Sequence, residues 1–297
     1  NLFILSKMPS YQIRILKNAD ELSPIEKLAD EIWHSGAQDI VPTHMLTAFV
    51  HNGGLAIGAF EDDKMIAFAF GFPGLYHTPD GLKIKHSSHQ MGVHPAHRGK
   101  NIGFALKQAQ WQMVRQQGLD LITWTYDPLL SRNAYLNVAQ LGAVCNTYKR
   151  NEYGEMVDSL NAGVASDRFQ VDWWLNTPRV FQRLDTENRV ALGLENYQAA
   201  KAQMLYTPET NMDLGLLLVP KHYSPPSGKL LLIQIPNDFQ NLRAVDLPLA
   251  KDWRFFTREV FEDVFSAGYI VTDFIYDRSE STPRSFYLLT DGESTIG

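Results

Sequence analysis

The sequence predicts a mixed α/β fold: an N-terminal domain built on a mixed sheet, followed by a smaller α+β C-terminal domain. Three observations predict it. Between residues 11 and 158 the periodicity changes in the order β-α-α-β-β-β-α-β-α-β. A turn of small and polar residues at 94–103 joins a long strand directly to a helix. Beyond residue 178 the pattern restarts and closes as strand, helix, strand, strand.

Each element has a local reason. Tyr11–Leu16 alternates and reads as a strand. A helical stretch opens at Asn18–Asp20, with Asp20 or Ser23 as the expected cap; Leu22, Ile25, Leu28, Ala29, Ile32 and Trp33 recur on one face. Pro42–Asn52 reads as a second helix. Gly54–Glu61 and Lys64–Phe72 form a hairpin across the acidic turn Asp62-Asp63. Pro73–Gly81 is expected to be a loop, Leu82–Val93 a long strand, and Phe104–Gln117 a helix ended by Gly118. Leu119–Thr125 is a strand, Pro128–Leu141 a helix ended by Gly142, and Ala143–Tyr148 a further strand. Residues 159–178 look irregular and are read as an arm between the halves. The domain boundaries expected are therefore 11–158, and 159–297 for the arm plus the C-terminal domain. In that second part, Asn196–Tyr206 and Pro248–Ala267 are helical, while Leu214–Val219, Lys229–Ile235, Gly268–Asp277 and Phe286–Thr290 read as strands.

Composition narrows the function classes. The chain has 297 residues and a formal net charge of −6, with no concentrated basic stretch, which argues against nucleic acid as a partner. No apolar run approaches the roughly 20 residues of a membrane span. The single cysteine, Cys145, lies between apolar residues and reads as a buried filler; no intrachain disulfide is possible. The opening Asn1–Leu5 lacks a basic leader region, and Met8 is a candidate start. A cytoplasmic protein is the expectation. The histidines lack ligand spacing with cysteines or carboxylates, so no metal site is expected.

The segment that carries chemistry is Met91-Gly-Val-His-Pro-Ala-His-Arg98-Gly99-Lys100-Asn101-Ile102-Gly103. A helix N-terminus offers unpaired N–H groups and a partial positive charge. Small residues before it let backbone approach a ligand closely. Such a turn can cradle a phosphate or diphosphate.

At these residues the chain resembles the GNAT (GCN5-related N-acetyltransferase) superfamily. Arg98, Asn101 and Gly103 match the loop pattern Arg/Gln-x-x-Gly-x-Gly/Ala, with Asn101 in place of the first glycine; Asn is the next most tolerant of left-handed angles. The resemblance spans about residues 11–156, including Asn133 and Leu141-Gly142-Ala143. The stretches Asp167-Arg-Phe, Trp173-Trp-Leu…Pro178-Arg-Val and Trp253-Arg…Gly268-Tyr resemble bacterial acetyltransferases of undefined substrate. The resemblance implies acetyl-CoA as co-substrate, with backbone at Met91, Gly92 and Val93 pairing with the pantetheine arm. It also implies that amides of Gly99, Lys100, Asn101, Ile102 and Gly103 hold the diphosphate beside Arg98, and that Asn133 lies near the CoA arm.

Candidate catalytic groups follow. Many family members carry a thiolate acid, a tyrosine, where this chain has Val138; Tyr135, one helical turn away, is the candidate substitute, and packing is its alternative role. Family bases sit on the long strand at the position of Ser88. The neighbouring His89 has the intrinsic pKa for the task, and a bulge would turn it into a cleft; a solvated or hydrogen-bonded strand histidine is its alternative role. His94 and His97 lie in the loop and are read as solvent-facing. Asp127 is a candidate base or ammonium anchor, or a cap before Pro128. Trp173 and Trp174 are read as packing residues. The expected function is acyl transfer to an amine or hydroxyl of a small-molecule or peptide acceptor, without nucleic acid or membrane. The alternatives are a non-catalytic acyl-CoA-binding module and a tandem protein in which 179–290 is a degenerate second copy lacking the loop.

Overall fold

A computed structural model of the protein describes residues 10–33, 40–154, 162–279 and 282–292. The candidate start at Met8 and the expected boundary at 158/159 lie outside the described residues. The chain divides into two compact units at Leu119/Asp120.

The first unit is a four-stranded antiparallel sheet with helices on both faces. Its strands are β1 (Gln12–Ile15), β2 (Leu55–Glu61), β3 (Lys64–Thr78) and β4 (Gly81–Val93), in the order β1-β2-β3-β4. Helices α1 (Ala19–Leu22), α2 (Pro24–Trp33) and α3 (Thr43–His51) connect β1 to β2. Leu22, Ile25, Leu28, Ala29 and Ile32 are buried against Phe68 and Phe70 of β3, as the helical spacing requires, and Trp33 packs at the rim. The cap of α1 is Asn18 rather than Asp20 or Ser23: its side chain accepts the Glu21 N–H at 3.0 Å. The β2–β3 turn is the predicted acidic pair, with Asp62 and Asp63 both at positive φ (48° and 60°), a type I′ geometry.

Two further expectations change here. Residues 73–78 are strand, not loop: β3 continues through Pro73 and pairs with β4 to Thr78↔Gly81. Proline is tolerated because the β2 ladder has already ended at Leu55↔Gly71, so no strand on that side needs its N–H. Helix α4 (Ile102–Gln116) begins two residues earlier than predicted, and its buried face is Ile102, Phe104, Leu106, Lys107, Gln110 and Val114; Ala109 and Met113 are only half-buried. Gly118, at φ 79°, ends it.

The second unit holds β5 (Leu121–Tyr126), α5 (Ser131–Ala134), a π-helical turn (Tyr135–Gln140), β6 (Val144–Lys149) and β7 (Arg168–Trp174). After them come α6 (Pro178–Leu184), α7 (Leu194–Ala199), β8 (Gln203–Met204), β9 (Thr210–Asn211), β10 (Leu216–Leu217) and β11 (Leu230–Ile235). The chain closes with α8 (Phe239–Val245), α9 (Leu247–Ser266), β12 (Tyr269–Asp277) and β13 (Arg284–Asp291). The sheet order is β5-β7-β6-β12-β13-β11-β8, and β8 runs parallel to β11, so the sheet is mixed. The stretch read as an irregular arm therefore contains β7, which lies between β5 and β6. Phe169, Val171 and Trp173 alternate inward and are fully buried.

Apart from the edge strand β8, this sheet consists of two triplets with one plan. In each, the third strand in sequence inserts between the first two, and every pairing is antiparallel. The first and third strands pair from Leu121↔Trp174 to Tyr126↔Phe169 in one triplet and from Leu230↔Thr290 to Ile235↔Ser285 in the other. The second and third strands carry one register shift in both. The triplets meet where their equivalent strands, β6 and β12, pair antiparallel at Val271↔Cys145. Phe169, Phe261, Tyr287 and Phe274 fill the shared core edge-to-face at 4.7–5.3 Å between ring centres.

Candidate functional site

In the first unit, one strand–turn–helix carries most of the predicted binding residues. Met91, Gly92 and Val93 end β4, paired with Ala69, Phe68 and Ala67. Gly92 is fixed by packing: a Cβ there would stand 2.7 Å from Ile32 Cδ1. His94 and His97 bracket a single 3-10 turn (Pro95–His97). Their rings lie beside carboxylates. His94 Nδ1 accepts the Ala96 N–H at 3.2 Å while its Nε2 faces Glu31 at 3.6 Å, and His97 Nδ1 faces Glu61 at 3.8 Å.

The chain then turns through Arg98, Gly99 (φ 80°), Lys100 and Asn101, all exposed. Arg98 Nε donates to the Val93 carbonyl at 3.4 Å, folding the turn back on its strand. Asn101 takes left-handed angles, φ 61° and ψ 16°, as its place in the pattern requires. It sits at the N-cap of α4 without making a side-chain cap bond, so no N-cap side chain covers the first-turn amides of Ile102, Gly103 and Phe104. A left-handed residue followed by an uncapped helix start is the geometry of an anion cradle.

β4 is bulged at His89. Phe70 opposes Gln90 and Gly71 opposes Ser88, so His89 is the extra residue. Its imidazole is exposed yet flanked by the rings of Phe70 and Phe72 at 5.6 and 5.9 Å. Desolvation by these neighbours lowers its pKa, which keeps it neutral and able to accept a proton near pH 7.

Sequence reasoning missed a buried polar cluster between β4 and α4. Lys107 Nζ donates to Ser88 Oγ at 2.8 Å and to Gln110 Oε1 at 3.0 Å; Gln110 Nε2 lies 3.1 Å from His86 Nε2. Burial lowers the Lys107 pKa to about 7, and burial with the Lys107 charge lowers that of His86 to about 3. The available signal was polar residues at i and i+3 on the apolar stripe of α4.

The remaining candidates lie in the second unit. Asp127, just after β5, is buried. Its Oδ1 accepts the Leu129 N–H at 2.9 Å, its Oδ2 is bound by Arg254 of α9, and Arg168 Nη1 stands 3.9 Å away. Arg254 is held charged against the opposing effect of burial by Asp127. A second buried carboxylate, Asp167, binds Arg258 through two bonds of 2.8 Å and accepts from Tyr148. Burial alone would raise the Asp167 pKa; the Arg258, Asn151 and Tyr148 hydrogen bonds bring it below the usual value. These arginine pairs were not foreseen. Asn133 is half-buried on α5, Tyr135 is exposed at the start of the π-helical turn, and Val138 is fully buried. Trp173 is a packing residue, with its indole N–H on the Leu141 carbonyl at 2.7 Å. Cys145 is buried and free. Among the described residues no group of three His, Cys, Asp or Glu is placed to hold a metal, and no helix is long and apolar enough to cross a membrane.

Comparison with known proteins matches residues 20–136 to the acetyltransferase (GNAT) family. Among curated proteins no sequence matches the chain. Solved structures similar to it include the ribosomal-protein-S18-alanine N-acetyltransferase of Escherichia coli, at 14% identity and TM-score 0.43, covering 56% of this chain and 95% of that one. A Salmonella typhimurium protein solved with its cofactor acetyl-CoA is 16% identical with TM-score 0.43, covering 56% of this chain and 95% of that one. A GNAT-family acetyltransferase of Streptococcus pneumoniae is 10% identical with TM-score 0.42, covering 55% and 97%.

Proposed function

We propose that the chain, whose residues 20–136 match the acetyltransferase (GNAT) family, moves an acetyl or other acyl group from acyl-CoA to an amine or hydroxyl acceptor by direct attack on the bound thioester. The observation that carries the reading is the left-handed Asn101 followed by the uncapped first turn of α4. Amides of Gly99 to Gly103 grip the diphosphate beside Arg98, and backbone at Met91–Val93 pairs with the pantetheine arm. His89 takes the proton from the attacking nitrogen or oxygen as the carbonyl carbon becomes tetrahedral. The C–S bond then breaks, and the departing thiolate takes a proton from water. Positioning and carbonyl polarisation supply most of the acceleration. Asp127, held by Arg254, is assigned a structural duty instead of the base's. The acceptor is a small molecule or peptide, and the cytoplasm, where acyl-CoA is made and used, is the proposed compartment.

The test is thiol release from acetyl-CoA across an amine panel, alongside thermal shift with CoA. A one-site ligand at a hundredfold excess over its Kd adds about 2.7 kcal/mol of stability, and Gly103→Trp should erase that gain. A wild-type protein that no CoA derivative stabilises would sink the reading; stabilisation without turnover on any acceptor would favour a non-catalytic binding module.

A second reading, compatible with the first, is favoured by the matching strand triplets: residues 179–290 are a degenerate second copy. Between β8 and β11, residues 205–229 contain only the short strands β9 and β10 and no helix. That copy therefore has no cradle of this kind, and calorimetry should count one CoA per chain. A stoichiometry of two would overturn this reading.

A further inference from the structure

The cluster around Lys107 has no part in the reaction as assigned above, yet it lies between the two elements that reaction needs. Helix α4 supplies the cradle at its first turn and Lys107 on its buried face; β4 supplies His89 at the bulge and Ser88 immediately before it. His86, Lys107 and Gln110 are at most 2% exposed and Ser88 is 7% exposed. With Lys107 donating to Gln110 Oε1, the amide must turn its Nε2 towards His86, so His86 accepts at Nε2 and carries its proton on Nδ1. Strand β3 makes room for this arrangement. A Cβ on Gly71 would lie 2.4 Å from His86 Nε2, so glycine is required opposite the ring.

An apolar side chain at 107 would fill the same volume and avoid the cost of a buried ammonium. It would also remove the donor that Ser88 Oγ and Gln110 Oε1 share, leaving Ser88 Oγ–H donating to Gln110 Oε1 at 3.2 Å. The lysine is thus an expensive way to fill space and an effective way to tie strand to helix.

We propose that Lys107 is a positioning residue for the transfer reaction: by clamping Ser88 it fixes the bulge presenting His89 relative to the helix whose first turn grips the diphosphate. The inference rests on the transferase reading. It is tested with Lys107→Met, which keeps the volume, and Ser88→Ala, which removes the clamped hydroxyl at little risk to folding. The titration midpoint of the His89 ring is followed by NMR, assigned with His89→Gln, and CoA affinity is measured by calorimetry. Both variants should shift the His89 midpoint and weaken CoA binding, by about threefold to tenfold for Lys107→Met, while thermal stability holds or rises. A purely structural lysine would change thermal stability and leave both other readouts at wild-type values; that result in the two variants overturns the clamp alone. Absence of CoA binding by the wild-type protein overturns the transferase reading and the clamp's role with it.

Discussion

The two strand triplets of the second unit share order, polarity and nearly register, but they are preceded by different chain. Ahead of β5 come the bulged β4, the Arg98–Asn101 turn and the fifteen-residue α4; ahead of β11 come a two-residue strand and residues 205–229, which contain no helix. A sheet plan can therefore be present twice while the chemistry is present once. The frame is set by burial of alternating side chains, whereas an anion cradle needs a specific turn and an open helix start, so function is read from the site and not from the frame.

The sharpest way to break this comparison is at the tie between the triplets. Asp127 closes β5, and Arg254 reaches it from α9 of the second triplet. Removing the carboxylate leaves a buried guanidinium uncompensated, so Asp127→Ala should cost about 3–5 kcal/mol in chemical denaturation. Asp127→Asn, which keeps an acceptor, should cost less. If stability is unchanged while acyl transfer collapses, Asp127 is the base and the structural assignment is wrong.

Such a tie was not legible in the sequence, because its partners are 127 residues apart and neither residue announces the other. Local signals fared better: the α2 face, the Asp62-Asp63 turn, the C-terminal helix and the position of the left-handed Asn101 all follow from residue type and spacing. The missed strand β7 shows the limit from the other side. Phe169, Val171 and Trp173 do alternate with polar Gln170 and Asp172, but Ser166-Asp-Arg168, the paired Trp173-Trp174 and Thr177-Pro178 made the stretch look irregular. Only pairing to β5 and β6 distinguishes it from a loop. Lys107 was illegible for a related reason: a lysine in a helix reads as a solvated stem until its burial is known.

Lys107 also gives the first region a pH signature that the second should lack. Its pKa is about 7 in the folded chain and about 10.5 when exposed. Between those values the unfolded chain holds a proton that the folded chain lacks, so stability rises with pH by at most about 1.4 kcal/mol per unit. His86 acts in the same direction lower down: with a folded value of about 3 against 6.5, it withdraws stability as pH falls through that window. Denaturation midpoints measured from pH 7 to 10 should climb less steeply in Lys107→Met than in the wild-type protein. Parallel slopes would mean that Lys107 is not buried as an amine.

The smallest expected effect discriminates most finely between backbone and side chain at the cradle. Left-handed angles cost an ordinary residue about 1–2 kcal/mol, and Asn101 bears part of that cost at φ 61°. Asn101→Gly should gain less than about 1 kcal/mol, which moves Tm by up to about 4 °C if the chain unfolds as a unit of a few hundred residues. CoA affinity should be unchanged, because main-chain amides do the gripping. Asn101→Val should lose stability and affinity together, since a β-branched residue resists those angles. If Asn101→Gly folds well yet binds CoA poorly, the asparagine amide itself touches the coenzyme, and the loop differs from the family pattern in chemistry as well as in sequence.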